Sequence, residues 1–367
     1  MIIRIMRAPP SKQIIQIFCM VLILMNACTS LCASVKRGGL KLSPLLQYSS
    51  GTGFGGGAVL SYLYPPYQES RLNGLLLGAF MLYSRYEQFS GELKWEQVWR
   101  EGSYVSSIDL FGAQYRERFY GIGANSLPDA EEDYTHQKVA ANLTVRRIVT
   151  SDLSFGIGYE LGYSAISEVR AGGLLDGTNL PGARGGVVSG LGLFLLFDSR
   201  DYRFYPMNGW LSHVSIWGYS RAMGGDFNYN RFTVDVRKYV PTFPSHVIAF
   251  QGYLRLMSGD VPFTRLSFLG GPTLLRGYER GRYRDKAMLA FQTEYRMPVI
   301  WRLGVSVFAG AGDVSEDMGG FRLEEFKHSI GAGARLLLNS RENIYLRFDY
   351  ASGRDSSDFY ITFSETF

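Results

Sequence analysis

The residues best suited to specific chemistry form a glycine- and arginine-rich stretch at 270–284, which reads GGPTLLRGYERGRYR. Arg276 stands at its centre, and arginine side chains bind carboxylates through paired hydrogen bonds. The stretch lies between two strand-like runs, 246–256 and 286–296. A long loop without periodicity is usually functional or disordered. Composition alone fits an exposed basic surface loop equally well, so the remainder of the chain must decide.

Residues that could support catalysis are scattered. The histidines do not form a helical pair, and no Gly-x-Ser-x-Gly turn is present. His213 and Ser245 could be combined into a hydrolase site, but the histidines (His136, His213, His246 and His328) fit better as polar groups at strand ends or in an interior. The glycines of 51–57 precede no helix and so form no phosphate cradle. The sequence predicts no enzyme, no cofactor and no metal site.

The start of the chain predicts a secretory signal peptide that is cleaved after Ala33. Residues 1–13 carry three basic side chains and no acid, 14–25 are almost wholly apolar, and small residues follow. The apolar run is short for a membrane span, which takes about 20 residues. Residues 25–28 also weakly resemble a lipoprotein cleavage site, to which Asn26 is a poor fit.

Cysteine usage and charge exclude several classes of protein. Cys19, Cys28 and Cys32 all lie in the predicted leader, so the mature chain has no disulfide, thiol nucleophile or cysteine-bound metal. The formal charge of +5 falls to +2 without the three basic leader residues. Such a near-neutral chain lacks the basic footprint of a nucleic-acid-binding protein.

From residue 42 onward the apolar residues recur with a period of two, which indicates β-strands. In 153–161, Leu, Phe, Ile, Tyr and Leu alternate with Ser, Gly, Gly and Glu. In 344–350, Ile, Leu, Phe and Tyr alternate with Tyr, Arg and Asp. A soluble sandwich would bury the apolar face. A transmembrane barrel would turn it to lipid and the polar face to its lumen.

Three features favour the barrel. Alternating runs recur almost to the last residue with no helical pattern between them. Tyrosine and phenylalanine, 24 of each, cluster at strand ends, where barrels carry aromatic girdles. The alternating run 359–367 ends on Phe367, which resembles the signal by which outer-membrane barrels are recognised for insertion. We therefore expect Phe155, Leu346 and Phe348 to face lipid. The lumen-facing side chains are expected to include Arg335, Arg347 and Asp349.

The fold predicted is an all-β, up-and-down antiparallel transmembrane barrel of sixteen strands, an even number as in bacterial single-chain barrels. Long joins at 118–136, 163–186, 257–285 and 311–327 are expected to be extracellular, and short joins periplasmic. The strands are predicted at 42–48, 54–63, 74–83, 86–96, 103–117, 137–147, 152–162, 187–198, 209–220, 227–239, 246–256, 286–296, 301–310, 328–338, 343–351 and 358–366.

With these strands placed, the sequence resembles the BamA/TamA-type outer-membrane family, also called bacterial surface antigens. The resemblance rests on Gly270-Gly-Pro-Thr-Leu-Leu-Arg-Gly-Tyr278 followed by Phe291-Gln-Thr-Glu-Tyr-Arg-Met-Pro298. A second signature is Asp198-Ser-Arg-Asp201, which includes Arg200 and crosses from the eighth strand to the ninth. The opening at 44–57 resembles barrels of this family without a periplasmic arm. The resemblance covers the predicted mature chain, residues 34–367.

The resemblance implies that the sixth extracellular loop folds into the lumen and that its arginine meets acidic groups. Arg276 is that arginine, followed by Gly277 and Tyr278, and Glu294 is the matching acid on the lumen face. The family often has a second acid where this chain has Gly310. A single-acid contact with Glu294 is therefore expected, with Asp313 as the alternative partner. The contact could also serve only to plug and stiffen the barrel.

Family members that insert other barrels usually carry periplasmic POTRA domains before the barrel. Here only about nine residues separate the proposed cleavage site from the first predicted strand, which is too few for such a domain. Two functions remain open. One is assembly or translocation with separate outer-membrane or periplasmic partners, through a weak seam between the first and last strands. The other is a passive pore or scaffold. In both, the partners are the lipid of a Gram-negative outer membrane and the machinery that inserts the barrel.

Overall fold

The computed structural model describes residues 39–49, 53–63, 76–84, 88–100, 102–127, 130–203, 205–339, 344–363 and 365–367. The proposed signal peptide, its cleavage site and the candidate lipoprotein site lie outside these residues.

Sixteen antiparallel strands pair with their neighbours in chain order and close into a barrel. This confirms the predicted fold class. The strands are β1 Gly39–Ser49, β2 Gly53–Leu63, β3 Leu76–Ser84, β4 Phe89–Trp99, β5 Tyr104–Phe119, β6 Glu132–Ile148, β7 Leu153–Ser167, β8 Gly185–Asp198, β9 Gly209–Tyr219, β10 Tyr229–Pro241, β11 Val247–Gly259, β12 Ala287–Ile300, β13 Leu303–Ser315, β14 Lys327–Asn339, β15 Ile344–Ser352 and β16 Ser357–Phe363.

The period-two pattern sets which side chains face out. On β7, Phe155 and Ile157 are exposed on the outer wall, whereas Ser154 and Glu160 are buried inside. Successive side chains of a strand point to opposite faces, so each strand of this pattern gives the barrel an apolar outside and a polar lumen. No helix in the described part of the chain is long and apolar enough to cross a membrane.

Leu346 departs from the predicted facing. It has the outward parity, yet only 3% of its side chain is exposed. It packs with Ile361, Phe348 and Phe363, and with Tyr48 of β1, where the first and last strands meet. Phe348 is half-buried in the same cluster, so neither side chain is a fully lipid-facing position.

The seam between β1 and β16 is short. Tyr48 and Ile361 are the one pair of register partners between these strands among the described residues. By contrast, β5 and β6 are paired without interruption from Tyr104 to Phe119. Because the ladder of hydrogen bonds closes each strand pair, the described residues hold the barrel less firmly at the seam than at β5–β6.

A charge on the outer wall tests the facing of the strands. We expect Leu193→Arg, in the middle of β8 and 59% exposed, to lower the free energy of unfolding by about 2–4 kcal/mol, since arginine at the bilayer midplane is poorly solvated. Val149→Arg in the β6–β7 turn is the matched control, with an expected cost of about 0–1 kcal/mol at the interface. Urea titration in lipid vesicles measures both. Equal costs would contradict a membrane-spanning wall.

Candidate functional site

The arginine-rich loop between β11 and β12 folds into the barrel. It begins with a 3-10 turn at Phe263–Arg265 and closes in a two-stranded hairpin, in which Ser267–Phe268 pairs with Arg284–Asp285. We call residues 260–286 the inner loop. Between the two short strands, Leu275, Arg276 and Tyr278 are almost fully buried. The side chains expected in the lumen are therefore enclosed there.

Arg276 is held by two carboxylates. Its Nη2 lies 2.5 Å from Glu294 Oε2 on β12, and its Nη1 lies 2.6 Å from Asp349 Oδ2 on β15. The guanidinium carbon also stands 3.3 Å from the centroid of the Phe308 ring on β13. The structure thus brings Arg276 and Glu294 together and adds a partner that the sequence reasoning did not assign.

The expected single-acid contact is wrong, because Asp349 supplies a second acid from another strand. Asp313, the alternative partner, instead forms an ion pair of 2.7 Å with Lys327. At Gly310, a side chain would meet Leu275 of the loop, since a Cβ there would lie 3.1 Å from Leu275 Cδ1. Because residue 310 is glycine rather than an acid, Leu275 of the loop has space to pack beside it.

The two acids also hold three further buried arginines. Glu294 Oε1 lies 3.0 Å from Arg296 Nε and 2.9 Å from Arg335 Nη2. Asp349 lies 2.6 Å from Arg335 Nη1 and 3.1 Å from Arg347 Nε. A buried charge is tolerated only when it is paired and hydrogen-bonded. Each acid is therefore the shared partner of several cations, and the loop is one part of this network.

The loop backbone is fixed against the last strands. Gly277 N donates to Tyr360 Oη at 3.1 Å, and Ser356 Oγ donates to Gly277 O at 2.7 Å. Tyr278 Oη donates to His328 O at 2.8 Å and accepts from Arg354 N at 3.0 Å. Burial raises the pKa of the Tyr278 phenol, which keeps it protonated and able to donate.

Gly277 is required at its position for two reasons. Its φ of +102° is in the left-handed region that side chains disfavour, and a Cβ would lie 2.9 Å from Ser352 C. We expect Gly277→Ala to push the loop off β15 and to cost at least about 1–3 kcal/mol of stability. Trypsin cleavage after Arg276 or Arg280 in the folded barrel should become faster. Gly252→Ala, where the nearest atom is 3.6 Å away, is the control; similar cleavage rates in the two variants would contradict this role.

The outer part of the inner loop is attached to the opposite wall. Arg265 Nη1 lies 2.5 Å from Glu160 on β7. Glu279 accepts from Arg118 at 3.2 Å and from Tyr120 at 2.8 Å. The loop therefore spans the lumen, with one set of ion pairs on each side.

The sequence matches a known domain family over most of its length. The Omp85 superfamily domain matches residues 74–367. The chain belongs to the Omp85 superfamily. It is an outer-membrane β-barrel of a Gram-negative bacterium, as the sequence predicted. No curated protein matches it in sequence.

Solved structures show the same Omp85 barrel fold. The crystal structure of BamA from Haemophilus ducreyi lacking POTRA domains 1–3 aligns with a TM-score of 0.63 at 17% identity, over 90% of this chain and 70% of that one. CdiB from Acinetobacter baumannii gives 0.57 at 15% identity, over 90% and 60%. CdiB from Escherichia coli gives 0.56 at 8% identity, over 92% and 69%.

The end of this Omp85 chain turns inward. Arg296 Nη2 donates to Phe367 O at 2.6 Å, Arg335 pairs with Glu365 at 3.1 Å, and Arg347 bonds the Thr366 hydroxyl. The Phe367 ring is buried against lumen residues of β10 and β11, namely Tyr239, Val247 and Ala249. The predicted strand 358–366 was too long, since β16 ends at Phe363. The role of Phe367 as an insertion signal stays a prediction.

The residues of the second expected motif lie away from the inner loop, in the β8–β9 join. Arg200 Nε donates to Asp198 Oδ1 at 2.8 Å. Asp201 Oδ1 accepts from the backbone of Tyr202 at 2.8 Å and of Met207 at 2.9 Å. These side chains order a turn, and the structure does not bring them to Arg276.

One arrangement of lumen side chains around His136 could not be identified from the sequence, because its members lie on three different strands. His136 Nε2 is 3.2 Å from Ser164 Oγ, and His136 Nδ1 is 3.6 Å from Glu117 Oε2. The second distance is longer than a hydrogen bond, so Glu117 does not orient the imidazole through one. In the described residues, no cluster of three or more His, Cys, Asp or Glu side chains could hold a metal ion.

Proposed function

We propose that this Omp85 barrel assists the assembly or translocation of other proteins at the outer membrane, together with separate partners. The observation that carries the proposal is the seam, where one register pair joins β1 to β16 in the described part of the chain. A passive barrel gains nothing from a weak seam. A barrel that pairs transiently with a client strand needs one.

Strand pairing supplies the mechanism. A strand edge presents backbone N–H and C=O groups that can template another chain. Within lipid, each unpaired backbone group at an open edge costs several kcal/mol. A client strand that pairs with these groups would recover about that cost. Opening the barrel at the seam separates few bonds, whereas opening at β5–β6 would break a ladder along the whole of β5.

The inner loop contacts the last two strands, next to the seam. Gly277 N donates a hydrogen bond to Tyr360 Oη on β16. The Tyr278 ring lies against Gly353, where a Cβ would stand 2.5 Å from that ring. Arg276 also holds Asp349 on β15. Movement of β16 would therefore disturb the loop, which supports a role for the loop in limiting seam opening.

A disulfide across the seam tests the proposal. The predicted mature chain has no cysteine, so Tyr48→Cys with Ile361→Cys introduces one pair at the register partners. Leu110→Cys with Ala141→Cys locks a fully paired position of β5–β6 as the control. Each variant replaces the native barrel in its own bacterium, and outer-membrane proteins are quantified before and after reduction.

We expect the seam-locked variant to deplete a subset of outer-membrane or surface proteins, as deletion of the barrel would, and reduction to restore them. The control lock should leave them unchanged. Full complementation by the seam-locked variant, or no change on deletion, would refute the proposal.

The alternative is a passive pore or scaffold, favoured by the buried ion pairs that fix the inner loop as a plug. In that case the seam lock leaves the other proteins unaffected. Because the inner loop spans the lumen from β7 to β15, a scaffold fits this alternative better than a wide pore.

A further inference from the structure

A lysine of β10 lies on the apolar outer wall of the barrel. Lys238 has the same parity as Val236, whereas the next residue, Tyr239, is fully buried among lumen side chains. Successive side chains of a strand point to opposite faces, so Lys238 points outward. Its register partners agree with this facing, since Trp210 of β9 and Phe250 of β11 are 42% and 45% exposed.

The outward positions around Lys238 carry no acid. Beside the two aromatic partners, the neighbouring outward positions of β9, β10 and β11 are Ser212, Val236, Val240, Ile248 and Gly252. Lys238 forms no ion pair and no hydrogen bond with any residue that the structure describes. Its Nζ lies over the Trp210 indole, 4.5 Å from the ring centroid. The ring stabilises the cation but does not neutralise it.

Lys238 is close to the end of its strand. β10 ends at Pro241, and the short join that follows leads to Val247 at the start of β11. Three residues of strand span about 10 Å, and a lysine side chain extends its charged end toward water along such a wall. Short joins of outer-membrane barrels are periplasmic, and aromatic side chains gather at the membrane interface. The ammonium of Lys238 therefore reaches the headgroups of the periplasmic leaflet.

The chemistry of this position suits a phosphate group. The ammonium of Lys238 has three N–H donors, and the indole Nε1 of Trp210 has one. Among the described residues, neither group has an acceptor. A phosphate oxygen accepts strong hydrogen bonds from an ammonium, and a lipid with a net negative charge also neutralises it. A zwitterionic headgroup brings a cation of its own and so offsets the lysine less well.

We propose that Lys238 and Trp210 bind the phosphate of an anionic phospholipid from the periplasmic leaflet. Phe250, on the other side of Lys238, packs against the acyl chains of the same lipid. In the order of the strands, β10 stands across the barrel from the pair β1 and β16. The bound lipid therefore fixes the depth of the wall opposite the seam.

Brominated phospholipids test the site, because bromine atoms quench tryptophan emission on contact. The full barrel is placed in vesicles of equal parts phosphatidylglycerol and phosphatidylcholine, in which only one of the two lipids is brominated at a time. The surface charge of the vesicles is then the same in both preparations. The chain has five tryptophans, so the emission of Trp210 is obtained by subtracting that of a matched barrel with Trp210→Phe.

We expect phosphatidylglycerol to be favoured about fivefold over phosphatidylcholine beside Trp210, which is the effect of one lysine near a membrane surface. Lys238→Gln should reduce the preference to about one. Lys238→Arg should retain it, because the positive charge is kept. The gel shift on heating verifies that each variant is folded.

Arg147→Gln is the matched control. Arg147 is exposed near the short-join end of β6, where its register partners are Tyr104 and Phe155. Its replacement removes one positive charge from the same end of the outer wall and should leave the preference at Trp210 unchanged. Equal quenching by the two lipids in the unmodified barrel overturns the proposal, as does a preference that survives Lys238→Gln. An equal loss in Arg147→Gln also overturns it, because general surface charge would then explain the preference.

Discussion

Glu294→Gln should lower the free energy of unfolding by about 3–5 kcal/mol, the usual cost of removing one partner from a buried ion pair. Glu294 contacts Arg276 at 2.5 Å, Arg335 at 2.9 Å and Arg296 at 3.0 Å, and none of these side chains is more than 1% exposed. Glutamine keeps the shape of the side chain but not its charge. Three guanidinium groups would then share the remaining acids.

Glu279→Gln is the matched control on the same loop. Glu279 also pairs with an arginine, but its side chain is 29% exposed and that of Arg118 is 46% exposed. Pairs of this kind contribute about 0–1 kcal/mol. Urea titration of folded barrel, read by the gel shift, measures both variants. Equal losses would mean that the lumen network is solvated and that burial does not set its energetics.

The walls of the barrel were predictable because alternation is a local property. A period of two fixes which side chains share a face, and this placed Glu294 and Asp349 in the lumen. Alternation does not predict the position of each residue along the barrel axis, because the stagger between strands sets that position. Asp349 was therefore recognised as a lumen residue but not as a partner of Arg276.

The end of the chain shows a second limit of sequence reasoning. Residues 358–366 alternate as a strand does, yet β16 ends at Phe363 and the chain then enters the lumen. Arg296, Arg335 and Arg347 hold that segment, and they come from three different strands. A tertiary cluster of cations thus overrides a local strand pattern. The residues of 359–367 alone carry no sign of it.

Arg276→Met is the second variant with a large expected effect. Arg276 pairs with both Glu294 and Asp349. Without its positive charge, the repulsion between the two carboxylates is no longer offset. We expect a loss of about 3–5 kcal/mol in unfolding free energy, since a buried pair is broken from one side. Arg276→Lys should recover part of this loss, because an ammonium keeps the charge but lacks the fork that reaches two acids.

Double-mutant cycles assign the energy to each acid. Arg276→Met is combined with Glu294→Gln and, separately, with Asp349→Asn, and the unfolding free energy is measured for all variants. Contacting residues in one network couple by about 0.5–3 kcal/mol, so both cycles should give values in this range. Arg276→Met with Lys94→Gln, a lumen pair outside the network, should be additive. Coupling to Glu294 alone would mean that Asp349 serves Arg335 and Arg347 rather than the loop. No coupling to either acid would mean that the inner loop lies outside the lumen in the membrane.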